Sequence, residues 1–571
     1  MTAGEIRKFP HDPVLVKLLN AARQTPYTEE IIHDALGFEK SYPDLLSDIL
    51  ATRELLWARL PPSAINGRGL LLEKNQYIAI LTKSGYEFLV AFFSIRTLGG
   101  VCMPLGSGVL PEEAQYFLSA ANAMCMLAGS SSMERAVSIG TYIHEHGKLG
   151  TLLVLPISCD AQRSKNPEIV IDDTCLMDPN GPGLVVFSSG TTRHPKGAVL
   201  PRRCFSGAQP MEPGAAALNY RPGHWIGGAG SLIRPVLSGK KLYILKVKSR
   251  NARAGVVLEA FRNYQITHAA FSPDVLRRMM DLMTGHSGQL SQEQRDKWFN
   301  SFKDLSALRC SAGMLESSTR KFWTDLTDLP FENIYSTTEL GGAAIRGRSG
   351  IQGSIGTPLP AVKVKLSEGD RGELCVKSPN MLIHYIGDKD ATQNAFDNEG
   401  YLKTGDLANL KDGQYVFAGR ANADYVQYGI FRIPALLVES SLMDLSYISE
   451  ACIVAVPDKN LKHLCGAVVR LKPVGTPPTG QINLALIRSD LEGNLATCML
   501  PALLRILRDE EELPCTATGK PIKKEILKIY FGSTDGAQVD NYPPGVERCE
   551  LPKPGEEITK PWDWGGLQCE D

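Results

Sequence analysis

The chain of 571 residues carries 61 Lys and Arg against 62 Asp and Glu, a formal net charge of −1, with 43% hydrophobic and 22% charged residues. These values sit near those of soluble globular proteins, which excludes wholesale disorder, and without a basic excess a general nucleic-acid or membrane-surface binder is disfavoured. Length alone suggests about four domain-sized units. The 53 glycines and 36 prolines make roughly 16% of the chain against about 12% expected, so turn positions are the feature to follow.

The N-terminal MTAGEIRKFPHDP has no apolar signal-peptide core. From Tyr77 short β-rich runs alternate with helical patterns. Ile78 to Leu81 predicts a buried strand, Tyr86 to Thr97 has helical apolar spacing, and Leu152 to Leu155 and Leu184 to Phe187 read as further strands. That alternation predicts a largely parallel sheet covered by helices. The longest apolar stretch, Phe88 to Val101, contains Arg96 and Gly99-Gly100 and cannot span a bilayer. His144-Glu145-His146 lacks the i, i+4 spacing of a helical zinc site and reads as a surface turn. Leu242 to Leu245 and the helix-like Ala254 to Tyr264 continue the theme, and shorter strands are predicted at Val362 to Leu366, Gly372 to Val376 and Gln414 to Phe417. Beyond Gly419-Arg420, the stretches Ser446 to Val456, Ala467 to Lys472 and Leu484 to Leu491 suggest a compact α/β unit ending near Tyr530. Phe531 to Asp571, with nine acids, three bases and five prolines, reads as a solvated acidic tail. Thirteen dispersed cysteines without a CxxC pair fit reduced thiols and a cytoplasmic location.

The run Ser188-Ser189-Gly190-Thr191-Thr192-Arg193-His194-Pro195-Lys196-Gly197 follows the strand at Leu184 to Phe187. Backbone N–H groups, hydroxyls and a lysine in one loop can wrap oligophosphate; the alternative is an ordinary polar loop leading into a helix. It is not GxxxxGK[ST], since Pro195-Lys196-Gly197 stands where that motif needs Gly and Lys-Ser or Lys-Thr.

SSGTT-x-x-PKG resembles the phosphate loop of the adenylate-forming superfamily, which includes acyl-CoA synthetases, free-standing adenylation domains and luciferases. Further stretches match in the family's order. Tyr335-Ser336-Thr337-Thr338-Glu339 resembles YGxTE, Gly353 to Pro358 resembles GSxGxP, and Tyr401 to Asp406 resembles GxxxTGD. Gly419-Arg420 opens the family's hinge stretch, and Pro514 to Lys520 is similar to PxTxxGK. The likeness covers roughly residues 70 to 530. It implies an α/β fold with a large N-terminal AMP-binding domain of several subdomains over residues 1–420, its sheets covered by helices. A small mobile C-terminal α/β domain would occupy 421–530, followed by the tail at 531–571.

The implied reaction has two halves: a carboxylic acid attacks the α-phosphorus of ATP to give acyl-AMP and pyrophosphate, and a thiol then displaces AMP. By the resemblance, Ser189, Gly190, Thr191, Thr192 and Lys196 hold the β/γ-phosphates, Glu339 carries Mg2+, and Thr338 bonds the α-phosphate. Tyr335 would stack on adenine, Asp406 would accept from the ribose hydroxyls with Arg420 beside it, and Lys520 would be the adenylation lysine. His224, in HWIG at the position of the family's HxxG, is expected with Ser336 and Gly341 to line the acyl pocket. The implied acceptor is CoA, the alternative a carrier protein's phosphopantetheine; a third reading is a nucleotide-binding relative that has lost catalysis.

Departures from the family pattern fall at Arg193 and Ser336, each in place of Gly, and at Ser311 to Leu315, where the adenine segment is loosely matched. In the hinge, Ala423 stands at the expected acid position with Asp424 one residue later, and Val426-Gln427 replaces the usual lysine. Acyl transfer is expected to need rotation of the small domain, bringing Gln427 to Gly429 to the site as Lys520 withdraws. Gly227 to Leu232 superficially matches a phosphopantetheine attachment site and is set aside, since no carrier unit surrounds it. Arg234 and Arg309 read first as surface or structural cations and second as partners for a second substrate carboxylate.

Overall fold

The computed structural model describes residues 7–73, 76–146, 150–161, 168–188, 195–208, 214–247, 252–285, 290–315, 317–348, 351, 353–420, 425–428, 431–459, 461–472, 482–516, 520–534, 537, 539 and 541–549. A seven-stranded sheet runs in the spatial order His384–Tyr385, Lys196–Pro201, Pro182–Ser188, Val101–Leu105, Tyr77–Leu81, Cys125–Ala128, Leu153–Pro156. Its members from Pro182–Ser188 onward are parallel, while the first two pairings are antiparallel. The helix Gly85–Thr97 covers it. Ser84 accepts from Glu87 N to open that helix, and all thirteen of its residues are buried. Its charged side chains are bonded internally, Glu87 accepting from Ser130 Oγ and Arg96 donating to Asp12, so the helix needs no solvent face.

The predicted parallel theme gives way further on. A nine-stranded sheet runs Ala270–Phe271, Leu308–Ser311, Phe331–Thr337, Gly342–Gly347, Ser354–Pro358, Gln414–Arg420, Leu402–Lys411, Arg371–Lys377, Lys363–Leu366. Only its first three strands are parallel, and the rest pair antiparallel. Short turns, such as Asp412-Gly413 with both residues at positive φ, join adjacent strands directly, and such hairpins force antiparallel pairing.

Residues 7–73, which show little pattern in the sequence, form helices and strands. Helices Pro13–Gln24 and Tyr42–Arg59 pack Leu15, Leu18, Leu45 and Ile49 into the main core at 0% exposure. Strands Glu30–Asp34 and Phe38–Ser41 join Lys241–Ile244 and Ala216–Asn219 in a four-stranded sheet. A capping box at Ser41 and Asp44 starts the second helix.

A six-stranded sheet is built from residues beyond 420. Ile448–Asp458 and Lys462–Leu471 form a long hairpin, and Leu503–Ile506 runs parallel to the second of these. Tyr425–Tyr428 and Phe431–Pro434 pair as a further hairpin at its edge. The acidic stretch expected to be solvated from 531 enters this sheet: Val546–Arg548 pairs antiparallel with Leu503–Ile506, and Cys549 N donates to Ala502 O (2.9 Å). A three-residue strand is too short to show alternation in sequence. Among the described residues no helix is long and apolar enough to cross a membrane.

Candidate active site

The phosphate-loop residues Ser189, Gly190, Thr191 and Thr192 lie outside the described residues, but both flanks are in place. Ser188 ends one strand and Lys196 begins the next, directly opposite, with Ser188 Oγ donating to Lys196 O (3.3 Å). The segment therefore connects two antiparallel strands and not a strand and a helix, so no helix N-terminus follows it. Any anion bound here depends on loop donors and the lysine rather than on a helix dipole.

Lys196 Nζ lies 5.4 Å from the Tyr385 ring centroid. Tyr385 comes from the two-residue strand His384–Tyr385, paired to the free edge of Lys196–Pro201. Its Oη donates to Glu339 Oε1 (3.2 Å), and desolvation, with the Glu339 charge next, pushes the phenol well above its usual range. Sequence reasoning missed Tyr385, because two residues of edge strand leave no periodic signal. Lys196, Tyr385, Asp388 and Lys403 share one cleft wall of mixed charge.

Glu339 and Thr338 sit on the turn that ends the strand Phe331–Thr337. Leu340 N donates to Thr337 Oγ1 (3.3 Å), Gly341 N to Thr338 O (3.1 Å), and Leu382 N to Glu339 O (2.6 Å). Gly341 is required there, since its φ is 66° and a Cβ would lie 2.3 Å from Asn380 O. The Thr338 hydroxyl makes no hydrogen bond among the described residues. Ser336 follows a register shift after Tyr335, a bulge that re-aims the side chains leading into the turn.

Tyr335, Asp406 and Arg420 meet as one cluster. Asp406 and Arg420 are opposite each other on strands Leu402–Lys411 and Gln414–Arg420. Arg420 Nε donates to Asp406 Oδ1 (2.8 Å) and Tyr335 Oη to Oδ2 (2.6 Å). Burial first, then the Asp406 charge, raises the Tyr335 phenol well above its usual range, so it stays a donor. Each carboxylate oxygen keeps further acceptor capacity.

His224 precedes the helix Ile226–Leu237 and meets Trp225 edge to face at 5.6 Å. It faces Gly106, where a Cβ would come within 3.5 Å of Nε2. Burial pushes its pKa down to about 4, so it is a neutral imidazole at physiological pH. Lys520 is exposed, its N–H bonded to Thr516 Oγ1 (3.2 Å) and its carbonyl accepting from Thr516 N (2.8 Å). The hinge residues Ala421 to Asp424 and Gly429, and the motif residues 517–519, lie outside the described residues. Arg309 is structural: Nε donates to Glu332 Oε2 at 3.0 Å, and Glu332 is 0% exposed. Arg234, on the helix Ile226–Leu237, is exposed and makes no ion pair or hydrogen bond among the described residues.

With this geometry in place, the comparisons are specific. The family model described as AMP-binding enzyme matches residues 65–386. An acyl-CoA ligase of Aspergillus oryzae is 31% identical over 535 residues, covering 92% of this chain and 93% of that protein. A malonate–CoA ligase of Arabidopsis thaliana is 25% identical over 538 residues, covering 88% and 86%. The anthranilate CoA ligase AuaEII, solved with anthranoyl-AMP, superposes with a TM-score of 0.74 at 18% identity, covering 91% of this chain and 97% of that one. ATP-bound MatB from Rhodopseudomonas palustris superposes with a TM-score of 0.71 at 20% identity, covering 91% and 99%. The chain belongs to the AMP-binding enzyme family, and its fold is that of the adenylate-forming enzymes.

Proposed function

We propose that this protein is an ATP-dependent acyl-CoA ligase. It joins a carboxylic acid to the α-phosphorus of ATP with loss of pyrophosphate, then passes the acyl group to the thiol of CoA with loss of AMP. The observation that carries this reading is the convergence of two clusters that flank the turn at 337–341. Tyr335–Asp406–Arg420 offers a carboxylate to ribose hydroxyls at one side, and Lys196–Tyr385–Glu339 offers a cation and a carboxylate ligand at the other. Thr338 between them has a hydroxyl free to donate to the α-phosphate. Ser189, Gly190, Thr191 and Thr192 complete the phosphate contacts in this proposal, and His224, Ser336 and Gly341 line the acyl side.

Glu339 also fits a magnesium role. Its Oε2 accepts no hydrogen bond among the described residues, which leaves a hard oxygen that would hold a magnesium ion. When bound, such an ion neutralises charge on the pyrophosphate leaving group. Lys520, on a loop of the six-stranded-sheet unit, supplies positive charge to the pentavalent phosphorus, and rotation of residues 421–530 against 1–420 withdraws it before acyl transfer. A cytoplasmic location completes the proposal, supported by the lack of a disulfide among the described cysteines.

The test is a panel of carboxylic acids with ATP and Mg2+, read by pyrophosphate release, followed by CoA or a phosphopantetheinylated carrier protein. Thioester formation on CoA is expected. A thioester on the carrier alone would transfer the assignment to the carrier reading, and no acid-dependent pyrophosphate with any acid would favour a nucleotide-binding role. Within the active enzyme, Tyr335→Phe should raise the KM for ATP about tenfold, since it removes one donor to the buried Asp406. The kcat should hold within about threefold, because the phenol is remote from the reacting atoms. A larger fall in kcat than rise in KM would contradict the nucleoside placement.

A further inference from the structure

Arg221 lies between the strand Ala216–Asn219 and the helix Ile226–Leu237. Its half-buried side chain reaches sideways to two further strands. Nη2 donates to Ala270 O (3.2 Å) on the strand Ala270–Phe271, and Nη1 and Nη2 both donate to Ser311 Oγ (3.2 Å each), at the end of Leu308–Ser311. Tyr220 supports the arrangement from below. Its Oη donates to the same Ala270 carbonyl (2.9 Å), and its ring centroid is 5.4 Å from the guanidinium carbon. Gly227, in the first turn of the helix, leaves room for the fork, since a Cβ there would lie 3.1 Å from Nη1. Every one of these acceptors is neutral, and among the described residues Arg221 makes no ion pair. A guanidinium spent on a serine hydroxyl and a carbonyl is placed for its planar fork and its reach.

What the fork grips is the start of an unusual turn. Ser311 is buried, and it pairs in parallel register with Ile334, the residue before Tyr335. The chain that leaves the sheet after Ser311 therefore starts level with Tyr335, whose Oη is fixed on Asp406. The next residue, Ala312, holds φ at 71°. In that left-handed region a Cβ crowds the following carbonyl, and glycine is the usual occupant. A residue with a side chain stays there only where its surroundings over-determine it. On one side of Ala312 stands Ser311, held by two N–H groups of Arg221. On the other, Gly313 passes close to Pro273, with its Cβ position 3.1 Å from Pro273 Cγ. Met314 then packs against the main core, as Tyr335 does.

We propose that Arg221 is a positioning residue for the nucleotide: it locks Ser311, and through it the left-handed turn at Ala312, so that residues 312–315 form a wall of the nucleoside pocket beside Tyr335. The placement of the nucleoside at Tyr335 and Asp406 comes from the ligase reading, on which this assignment rests. Arg221 touches no substrate in it and acts only through Ser311. A lysine at this position carries one ammonium on a flexible stem. It can reach one of the two acceptors but cannot span both while lying flat on Tyr220.

The experiment measures AMP and ATP binding by calorimetry, and kinetics with any acid that is turned over, with melting temperature recorded for each protein. The variants are Arg221→Met, Arg221→Lys, Ser311→Ala and the double variant Arg221→Met with Ala312→Gly. Arg221→Met should weaken AMP and ATP by the same factor, about tenfold, and raise the KM for ATP to match. The kcat and the KM for the acid should change by less than about threefold. Arg221→Lys should fall between methionine and wild type, and Ser311→Ala should weaken AMP in the same direction as Arg221→Met. The double variant should regain about threefold in AMP affinity, because glycine adopts the left-handed turn without the clamp. Unchanged AMP affinity in Arg221→Met, a fall in kcat as large as the rise in KM, or no recovery in the double variant overturns the proposal. If Arg221→Met does not fold, Ser311→Ala carries the test, and AMP affinity equal to wild type overturns it. If no acid releases pyrophosphate, the ligase reading fails while AMP calorimetry still decides the role of Arg221; a wild type that binds no AMP overturns both.

Discussion

Lys520→Ala is expected to lower acid-dependent pyrophosphate release by about 10³-fold, a barrier increase of roughly 4 kcal/mol. The first half-reaction brings a carboxylate against a polyphosphate, and the pentavalent phosphorus carries more negative charge than the ground state. A cation placed where that charge develops acts on the transition state selectively, so its removal falls on kcat. The fold should survive the change, because the Lys520 side chain is exposed and its loop is tied by backbone contacts to Thr516 and by the Cys515–Pro521 bridge. The helix Lys523–Phe531 that follows is anchored independently through Ile526, Tyr530 and Phe531. Chemically prepared acyl-AMP supplies the control. With it, thioester formation by Lys520→Ala should remain within about tenfold of wild type, because that half-reaction is expected to occur with the lysine withdrawn. Comparable losses in both halves would remove Lys520 from the adenylation role.

Asp12→Ala should destabilise the protein by about 3–5 kcal/mol, the cost of leaving buried charge without its partner. Asp12 is 0% exposed and lies between two arginines that are nearly as deep. Arg96 Nη2 donates to its Oδ2 at 2.6 Å and Nε to the same oxygen at 3.0 Å, and Arg202 Nη1 reaches that oxygen at 3.2 Å. Desolvation, and then repulsion from Arg96, pushes the Arg202 guanidinium down to about 10, so the pair of cations depends on this carboxylate. The remaining donors go to the carbonyls of Gly183, Arg202 and Gly99, which carry no charge. Asp12 also caps the helix Pro13–Gln24 by accepting from Val14 N, a contact worth about 1 kcal/mol. A fall in melting temperature of about 3–5 °C follows for Asp12→Ala. Asp12→Asn keeps the cap and loses the charge, so it should fall between alanine and wild type. Calorimetric unfolding checks the order, and an asparagine variant as stable as wild type would show that the network is held by its carbonyl contacts.

Local pattern made a good part of this fold legible. The strands near 78–81 and 184–187 are apolar runs with a polar boundary at each end, and the helix from Gly85 is mostly apolar. The Asp406–Arg420 pair was legible because both belong to motifs with fixed spacing, and hairpin register then sets them face to face. What stayed hidden is non-local. Asp12, Arg96 and Arg202 are 84 and 190 positions apart, and each alone reads as a surface charge. Tyr385 acquires its place by adding a two-residue strand to an edge whose neighbours lie almost two hundred residues earlier. The region before Tyr77 contains short strands and helices whose apolar positions are diluted by charge, so it offered no clear period, yet it contributes Leu15, Leu18 and Ile49 to the core.

The sequence by itself determined the family and the α/β class, because motif loops and hairpin turns depend on residue type at short spacing. Only the tertiary structure decided which charged groups are paired, which are structural and which face the cleft. Arg309 and Arg234 are the same residue type and read alike in the chain. One is neutralised by the buried Glu332 on the neighbouring strand, and the other lies against Gly230 and Gly342 with no ion pair among the described residues. Charge and desolvation depend on what lies within a few ångströms, and the chain brings those neighbours from distant positions.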